Sequence, residues 1–527
     1  MKILRGIFFA FFACAAALNT SGANAKNVYV AANKNSAGSV KLAKEYCALR
    51  SIPAENIIFL DTSQGANISR ENYDTKIASP IFEFLKSRGA IKDIFNAPDP
   101  KRAMVVKTDI DFLVLCKGVP FRISEQKPEK KPSAAANNSA CVDSELALLF
   151  KGSYELKGMQ KNPLFGTGRE MGDYKKQNYL AVSRLDGITC ADALNLAKSA
   201  ARAEEAGLRG RGYIDMSQKY PAGDKWLAGT KAIIEELGFD VSADTSPHLM
   251  NYFCRFDAPA FYFGWYTHTP RYYTAACRYA DGASTLHIYS FSAITLSRKT
   301  DWTPSFAAQN SAAAFGYIDE PFLHATHRPD IYMHYISRGF SAAEAAFYSM
   351  PFFSWKGILL ADPLYTPLKK PLDLQLADIE SGKADEYSQY AVIRKINLTL
   401  RGNAGAQAAA QLAQKYLKKL PAKFALHWRL AQICADTDPE KSAALARLAA
   451  QEASKDFQNF GLVFEIADFL KKQNMAEESA QICLQILNSA QSKDFLQNTI
   501  PALLRREKFT DEEKAALQAR LKSLQEK

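Results

Sequence analysis

Residues 257–297 read DAPAFYFGWYTHTPRYYTAACRYADGASTLHIYSFSAITLS and contain two short apolar runs that each end in small and polar residues. AFYFG (260–264) and TLHIYS (285–290) are too short for globular helices, and their aromatic and β-branched content is typical of buried strands. We expect them to be neighbouring strands of one sheet. Open α/β sheets hold ligand groups just beyond the carboxyl ends of their strands, so residues 264–268 and 290–292 form the predicted site.

Strands alternate with helices on both sides of this stretch. Further strands are predicted at NVYVAAN (27–33), NIIFLD (56–61), DFLVLCKGVPFRI (111–123), YLAVSRLDG (179–187), RGYIDMS (211–217) and AAAFGYIDEPF (312–322). Helices are predicted at 39–50, 69–87, 191–205, 227–239 and 341–350, the last with a capping box formed by Ser341 and Glu344. Strands separated by helices pair in parallel, with helices on both faces of the sheet. The sequence therefore predicts an α/β fold with a mostly parallel sheet.

Beyond Leu368 the composition changes to Ala, Leu, Lys and Gln with few glycines. Helices are predicted to start near 405, 439, 475 and 510, with partner helices near 388, 423, 456 and 492. A period of about 35 residues is typical of tetratricopeptide-like helix pairs, which stack into a solenoid that binds peptides or partner proteins. The alternative is a helical bundle packed on the α/β region.

The N-terminal residues have the pattern of a secretory signal peptide. Lys2 and Arg5 precede an apolar run over 7–18, and Ala23-Asn24-Ala25 matches a cleavage signal. We expect residues 1–25 to be removed and the protein to be periplasmic or extracellular. The remaining chain is predicted to comprise an N-terminal α/β subdomain (26–205), a C-terminal α/β subdomain (206–370) and a helical repeat-like domain (371–527). We see no later apolar stretch long enough to predict a membrane span.

Charge and cysteine content narrow the function classes further. The net charge of +11 is spread along the chain, which favours a solvated surface over a nucleic-acid groove. The cysteines lack the closely spaced pairs of a zinc site, and we predict no cofactor. Export permits disulfides, and Cys254 with Cys277 is the favoured pair.

The order of the segments resembles an uncharacterised family of exported bacterial proteins and, more distantly, the gingipain-type cysteine peptidases, which have a caspase-like α/β fold. The resemblance covers about residues 27–368. The corresponding segments are Asp143, SRLDGITCADALNLAKSAARAEE (183–205), FYFGWY (261–266), LHIYSFSA (286–293) and Ala361-Asp362-Pro363. The resemblance implies a caspase-like sheet with its site after the two strands of the opening stretch.

The two positions that carry peptidase chemistry in that family differ here. The catalytic His position falls on Trp265, and the nucleophilic Cys position falls at Ser290 or Ser292. A Cys/His dyad works because the imidazole holds the sulfur as a thiolate, so the resemblance does not imply peptidase activity. His268 could instead serve as the base for Ser290 or Ser292; the alternative is that it is a loop residue.

Several further residues are candidate binding groups. By strand alternation His287 faces away from Ser290, which favours a core or helix-contacting histidine over a binding group. Arg184 could bind a carboxylate, and Asp143 or Asp215 could orient a histidine or hold a cation. The alternative for these three residues is a structural network at the edge of the sheet.

Four possible metal ligands lie close together in the sequence: Glu320, His324, His327 and His334. Their spacing lacks the helical i, i+4 pair of zinc hydrolases, and Pro329 interrupts any helix between the first two histidines and the third. We therefore predict no metal.

Two functions remain open from the sequence. The first is a non-catalytic binding or scaffolding protein of the cell envelope, which uses the aromatic-rich segment after residue 260 for recognition and the helical tail to bind a protein or peptide. The second is a divergent hydrolase that acts on peptide or cell-envelope material through Ser290 or Ser292 with His268. The change from His to Trp265 favours the first function, since fold resemblance alone does not define activity.

Overall fold

A single ten-stranded sheet forms the centre of the α/β region. The computed structural model describes residues 23–94, 104–124, 138–152, 158–247, 249–250, 256–266, 278–402 and 405–526. The strands are Val28–Asn33 (β1), Ile57–Leu60 (β2), Phe112–Cys116 (β3), Val182–Leu185 (β4), Arg211–Asp215 (β5), Val241–Asp244 (β6), Pro259–Gly264 (β7), Ser284–His287 (β8), Ala313–Tyr317 (β9) and Gly357–Ala361 (β10). Their order across the sheet is β6-β5-β7-β8-β9-β10-β4-β3-β1-β2.

Most strand pairs in this sheet are parallel. The pairs within β6-β5-β7-β8-β9 and within β4-β3-β1-β2 are all parallel, whereas β10 runs antiparallel to β9. The Arg122 guanidinium, in the segment after β3, donates to the carbonyls of Ile294 and Ile318, which follow β8 and β9. Segments that leave the two groups of strands therefore meet at one edge of the sheet.

Helices cover both faces of the sheet. The main ones are Ala37–Arg50 (α1), Ser79–Ser87 (α2), Cys190–Ala206 (α3), Pro221–Glu236 (α4), Trp302–Ala308 (α5), Pro329–Ser337 (α6) and Ala342–Ser349 (α7). Alternate residues of β1 enter different cores: Val28 and Val30 pack in the core that contains α1 and α3, and Tyr29 and Ala31 pack in the core that contains α2. This alternation is what a strand buried on both faces requires.

Nine helices follow the sheet within the described part of the chain. They are Leu372–Glu380 (α8), Ser388–Arg401 (α9), Gly405–Leu417 (α10), Phe424–Cys434 (α11), Pro439–Ala453 (α12), Phe460–Lys472 (α13), Ala476–Ser489 (α14), Lys493–Arg506 (α15) and Asp511–Gln525 (α16). They enclose two apolar cores of their own, one around Ile396 and Leu426 and one around Leu462 and Ile486.

The helical region contacts the sheet through buried polar groups. Arg211, the first residue of β5, pairs with Asp240 at 2.8 Å, with Asp257 at 2.8 Å and with Glu465 of α13 at 2.9 Å. The Tyr390 hydroxyl of α9 donates to the second carboxylate oxygen of Asp257 at 3.0 Å. A buried charge needs such partners, because leaving any of them unpaired costs several kcal/mol.

The structure confirms the predicted fold class, a mostly parallel sheet flanked by helices and followed by helices. The capping box of Ser341 and Glu344 is present, and α9 to α16 begin within four residues of the eight starts predicted from the repeat period. Among the described residues, no helix is both long enough and apolar enough to span a bilayer.

Candidate functional site

Trp265 directly follows β7, at the position that the family resemblance assigns to a histidine. Its indole is buried, and the indole nitrogen donates a 2.8 Å hydrogen bond to Oδ1 of Asp224 on α4. A Cβ atom at Gly223 would lie 2.4 Å from the indole ring, so a glycine is what allows α4 to approach this closely. Trp265 thus fastens the end of β7 to α4.

Exposed aromatic side chains lie beside Trp265. Tyr220, in the loop between β5 and α4, is 43% exposed, and Tyr266 is 36% exposed. The centroid of the Tyr266 ring lies 5.4 Å from the ring centroids of both Tyr220 and Tyr289. The Lys219 ammonium lies 4.4 Å above the Tyr266 ring, which is the geometry of a cation–π contact.

Ser290 and Glu320 extend this aromatic cluster with polar groups. The Ser290 hydroxyl donates to Oε2 of Glu320 at 2.6 Å, and Oε1 of Glu320 accepts the Phe322 N–H at 2.9 Å. Burial, followed by the charge on Glu320, raises the pKa of Tyr289. We call Lys219, Tyr220, Tyr266, Tyr289, Ser290 and Glu320 the edge patch; its members follow β5, β7, β8 and β9.

Ser292 has a different environment from Ser290. It is buried, its hydroxyl oxygen accepts the Tyr317 N–H at 3.0 Å, and its carbonyl accepts the Thr303 N–H at 3.0 Å. These bonds join the end of β9 to α5. His268, the base predicted for either serine, lies outside the described residues, so the Ser/His pair stays a prediction.

Asp215, Tyr262 and His287 form a buried chain across three neighbouring strands. The Tyr262 hydroxyl and Nδ1 of His287 are 3.0 Å apart, and the His287 ring stacks on Trp302 of α5 with centroids 3.9 Å apart. Burial raises the pKa of Asp215 to about 8, although hydrogen bonds from the Met250 N–H and the Tyr262 hydroxyl oppose the rise. Asp215 is therefore mainly a neutral acid at pH 7.

Asp143 and Arg184 form a buried ion pair. Nη2 of Arg184 lies 2.8 Å from Oδ2 of Asp143, and Nε lies 3.1 Å from Oδ1. The remaining guanidinium donors bond the carbonyls of Val119 and Pro120 at 2.7 and 3.1 Å. Through these contacts Arg184 holds the turn after β3 against Asp143.

The histidines of the possible metal cluster have separate environments. His324 stacks on Phe322, His327 is buried against Phe315, and Nε2 of His334 lies 3.5 Å from Arg338. Burial lowers the pKa of His327 to about 3, so this imidazole is neutral. In the part of the chain that the structure describes, no three His, Cys, Asp or Glu residues are grouped as metal ligands.

Comparison with known proteins adds little to this geometry. No protein-family model and no curated protein matches the chain. A solved structure titled "Structure of Protease" is similar with a TM-score of 0.36 and 10% sequence identity, covering 64% of this chain and 78% of that chain. A similarity at this level carries no argument about activity.

Sequence reasoning missed three members of the edge patch, Lys219, Tyr220 and Tyr289. The rule that placed the site beyond the carboxyl ends of strands applies equally to RGYIDMS, whose strand ends at Asp215. Applied there, it would have directed attention to the segment 216–220. The sequence indicates Glu320 only as a possible metal ligand, because its partner Ser290 lies 30 residues away along the chain.

Proposed function

We propose that this chain is an exported binding protein of the cell envelope that recognises a glycan through the edge patch and lacks thiol-peptidase chemistry. The observation that carries the proposal is the cluster of exposed Tyr220 and Tyr266 with half-buried Tyr289, beside the polar groups of Lys219 and Glu320. The signal-peptide pattern and the resemblance to exported bacterial proteins support the location.

A sugar ring suits this surface better than an apolar ligand does. Tyrosine presents an apolar face with a polar tip, so exposed tyrosines can stack on the C–H face of a sugar and also hydrogen-bond its hydroxyls. Glu320 offers acceptors and Lys219 offers donors at the rim of the same cluster. Trp265, at the position that the resemblance assigns to the catalytic histidine, also favours binding over catalysis. Its indole donates a hydrogen bond to Asp224 and has no group that can act as a base.

A sedimentation assay with insoluble peptidoglycan, and a retention assay on beads that carry glycan strands freed of stem peptides, test this proposal. Tyr266→Ala should weaken retention on both materials about tenfold, which corresponds to about 1.4 kcal/mol. Phe59→Ala is the matched control, because Phe59 is an aromatic residue 50% exposed on β2 at the far edge of the sheet. Equal losses for the two variants, or no retention of the unmodified protein, would contradict the proposal; retention on peptidoglycan alone would indicate peptide recognition.

A divergent hydrolase is the second candidate function, and the 2.6 Å contact between Ser290 and Glu320 is the observation that favours it. A carboxylate that accepts the hydroxyl proton gives Ser290 a base, although a weaker one than imidazole at neutral pH. Treatment with a serine-directed fluorophosphonate distinguishes the candidates. Labelling of Ser290 that is lost in Glu320→Gln would establish the hydrolase; we expect no labelling.

We also propose that the stacked helices α9 to α16 bind a protein or peptide partner, as the repeat period suggests. Affinity purification of the full chain and of a chain ending at Leu368, followed by mass spectrometry, tests this proposal; recovery of the same proteins with both chains would contradict it.

A further inference from the structure

A second group of aromatic side chains lies beside the edge patch. Phe291, which directly follows Ser290, is 38% exposed, Phe322 and Phe352 are half-buried, and His324 is exposed. The rings of Phe322 and His324 are nearly parallel with centroids 6.0 Å apart, and the Phe352 ring lies almost perpendicular to His324 at 5.9 Å. We call Phe291, Phe322, His324 and Phe352 the aromatic extension.

Hydrogen bonds join the aromatic extension to the edge patch. Oε1 of Glu320 accepts the Phe322 N–H at 2.9 Å, while Oε2 accepts the Ser290 hydroxyl at 2.6 Å. The Phe291 N–H donates to the carbonyl of Asp319 at 3.3 Å, so the segments after β8 and β9 are bonded to each other at this point. The two groups of rings therefore belong to one surface, and the pair of Ser290 and Glu320 connects them.

The order of the strands places these rings in a row. The edge patch follows β5, β7, β8 and β9. The aromatic extension follows β8 and β9 and precedes β10, whose first residue Gly357 pairs with Tyr317 at the end of β9. These strands are consecutive in the sheet, from β5 to β10, and neighbouring strands lie about 4.8 Å apart. The row therefore extends over roughly 20 Å of one sheet edge.

The backbone along this row is held in an unfavourable conformation at three positions. Gln218, Phe291 and Phe322 have φ angles of +58°, +63° and +60°, and each lies within two residues of a member of the edge patch along the chain. A left-handed backbone is unfavourable for a residue with a side chain, so the surrounding structure must enforce it. Such residues are concentrated at functional sites, where the fixed backbone keeps groups in the geometry that a ligand needs.

We propose that the edge patch and the aromatic extension together bind several consecutive sugars of a glycan strand. This inference rests on the proposed function and adds the length of the ligand that the site recognises. One sugar of an extended glycan is about as long as one strand spacing, so the row matches about four sugars. The tyrosines of the edge patch bind the sugars at one end, and the rings of the aromatic extension offer stacking faces to the sugars beyond Glu320.

Isothermal calorimetry on the full chain, with two glycans of the same composition, tests this inference. One is the disaccharide that a muramidase releases from glycan strands freed of stem peptides, and the other is a hexasaccharide purified from the same strands. The hexasaccharide should bind about tenfold more tightly or better, because only the longer glycan reaches both groups of rings. Equal affinity for the two would overturn the inference and leave the proposed function standing, whereas no binding of either would contradict both.

Variants at the two ends of the row make the test specific. His324→Ala should weaken binding of the hexasaccharide about tenfold and leave binding of the disaccharide unchanged, whereas Tyr266→Ala should weaken binding of both. His334→Ala is the matched control, since His334 is an exposed histidine of α6 that belongs to neither group of rings. Equal effects of His324→Ala and His334→Ala on the hexasaccharide would overturn the inference, as would an equal loss of affinity for both glycans in His324→Ala.

Discussion

The indole of Trp265 and the carboxylate of Asp224 are joined by a 2.8 Å hydrogen bond between the end of β7 and the first turn of α4. The buried indole also contacts the rings of Tyr220 and Tyr266, with ring centroids 5.6 and 6.0 Å away.

This bond predicts a measurable coupling between the two side chains. In a double-mutant cycle, Trp265→Phe and Asp224→Ala should each destabilise the protein, and the two effects should be less than additive by about 1 kcal/mol. Urea denaturation followed by circular dichroism provides the free energies of unfolding. A coupling energy close to zero would show that the hydrogen bond contributes nothing to stability.

Asp215 predicts a specific pH dependence of stability. Its pKa of about 8 in the folded protein is above the value of a carboxyl group in an unfolded chain. The folded state therefore holds a proton that the unfolded state releases, so stability should fall as pH rises from about 4 through 8 and level off above that.

Asp215→Asn should remove this loss and stabilise the protein at pH 9 by roughly 2 kcal/mol or more, because the amide needs no proton to remain neutral. Asp436→Asn is the control, since Asp436 is an exposed aspartate of the helical region. Urea denaturation at pH 5, 7 and 9 measures the free energies of unfolding. If these changed with pH in the same way for Asp215→Asn and for the unmodified protein, the predicted role of Asp215 would be wrong.

Periodicity predicted the elements of this fold well, and the reason is that periodicity is local. The starts of α9 to α16 follow from a repeat of apolar positions, and the strand AFYFG follows from its aromatic content. The position of β10 between β9 and β4 could not be predicted from the sequence. The apolar run ILLA indicates a buried strand, but it contains nothing that identifies the neighbouring strands. The network of Arg211, Asp257 and Glu465 could not be predicted either, because the three charged residues are far apart in the sequence and none of them is part of a motif.

The helical region should fold as a unit, as its separate apolar cores and repeat period indicate. A chain ending at Leu368 should keep the circular-dichroism spectrum of a mixed α/β protein, and the isolated segment 371–527 should be almost entirely helical. The shortened chain should also be less stable, because Arg211 loses Glu465 and Asp257 loses Tyr390. A β-sheet signal in the isolated segment would refute the prediction.

Export predicts a defined N-terminus at Lys26. Cleavage after Ala25 removes the backbone N–H of Asn24, which donates to Asp111 at 2.7 Å, but Lys175 and Asn27 remain to pair with that carboxylate. The cut should therefore leave the fold intact. Sequencing of the N-terminus of protein recovered from cell fractions checks this; recovery from the cytoplasm with Met1 in place would argue against export.

The pairing of Arg211 with Glu465 also constrains the order in which the molecule assembles. The two residues are 254 positions apart, so β5 is synthesised long before α13 exists. During that interval the charge of Arg211 can be neutralised by Asp240 and Asp257, which are only 29 and 46 positions away, in the partly formed sheet. Domains generally form from the N-terminus as the chain emerges, and distant contacts form last because closing a long loop costs entropy. Glu465 therefore joins the network around Arg211 late, after Asp240 and Asp257 have paired with the arginine.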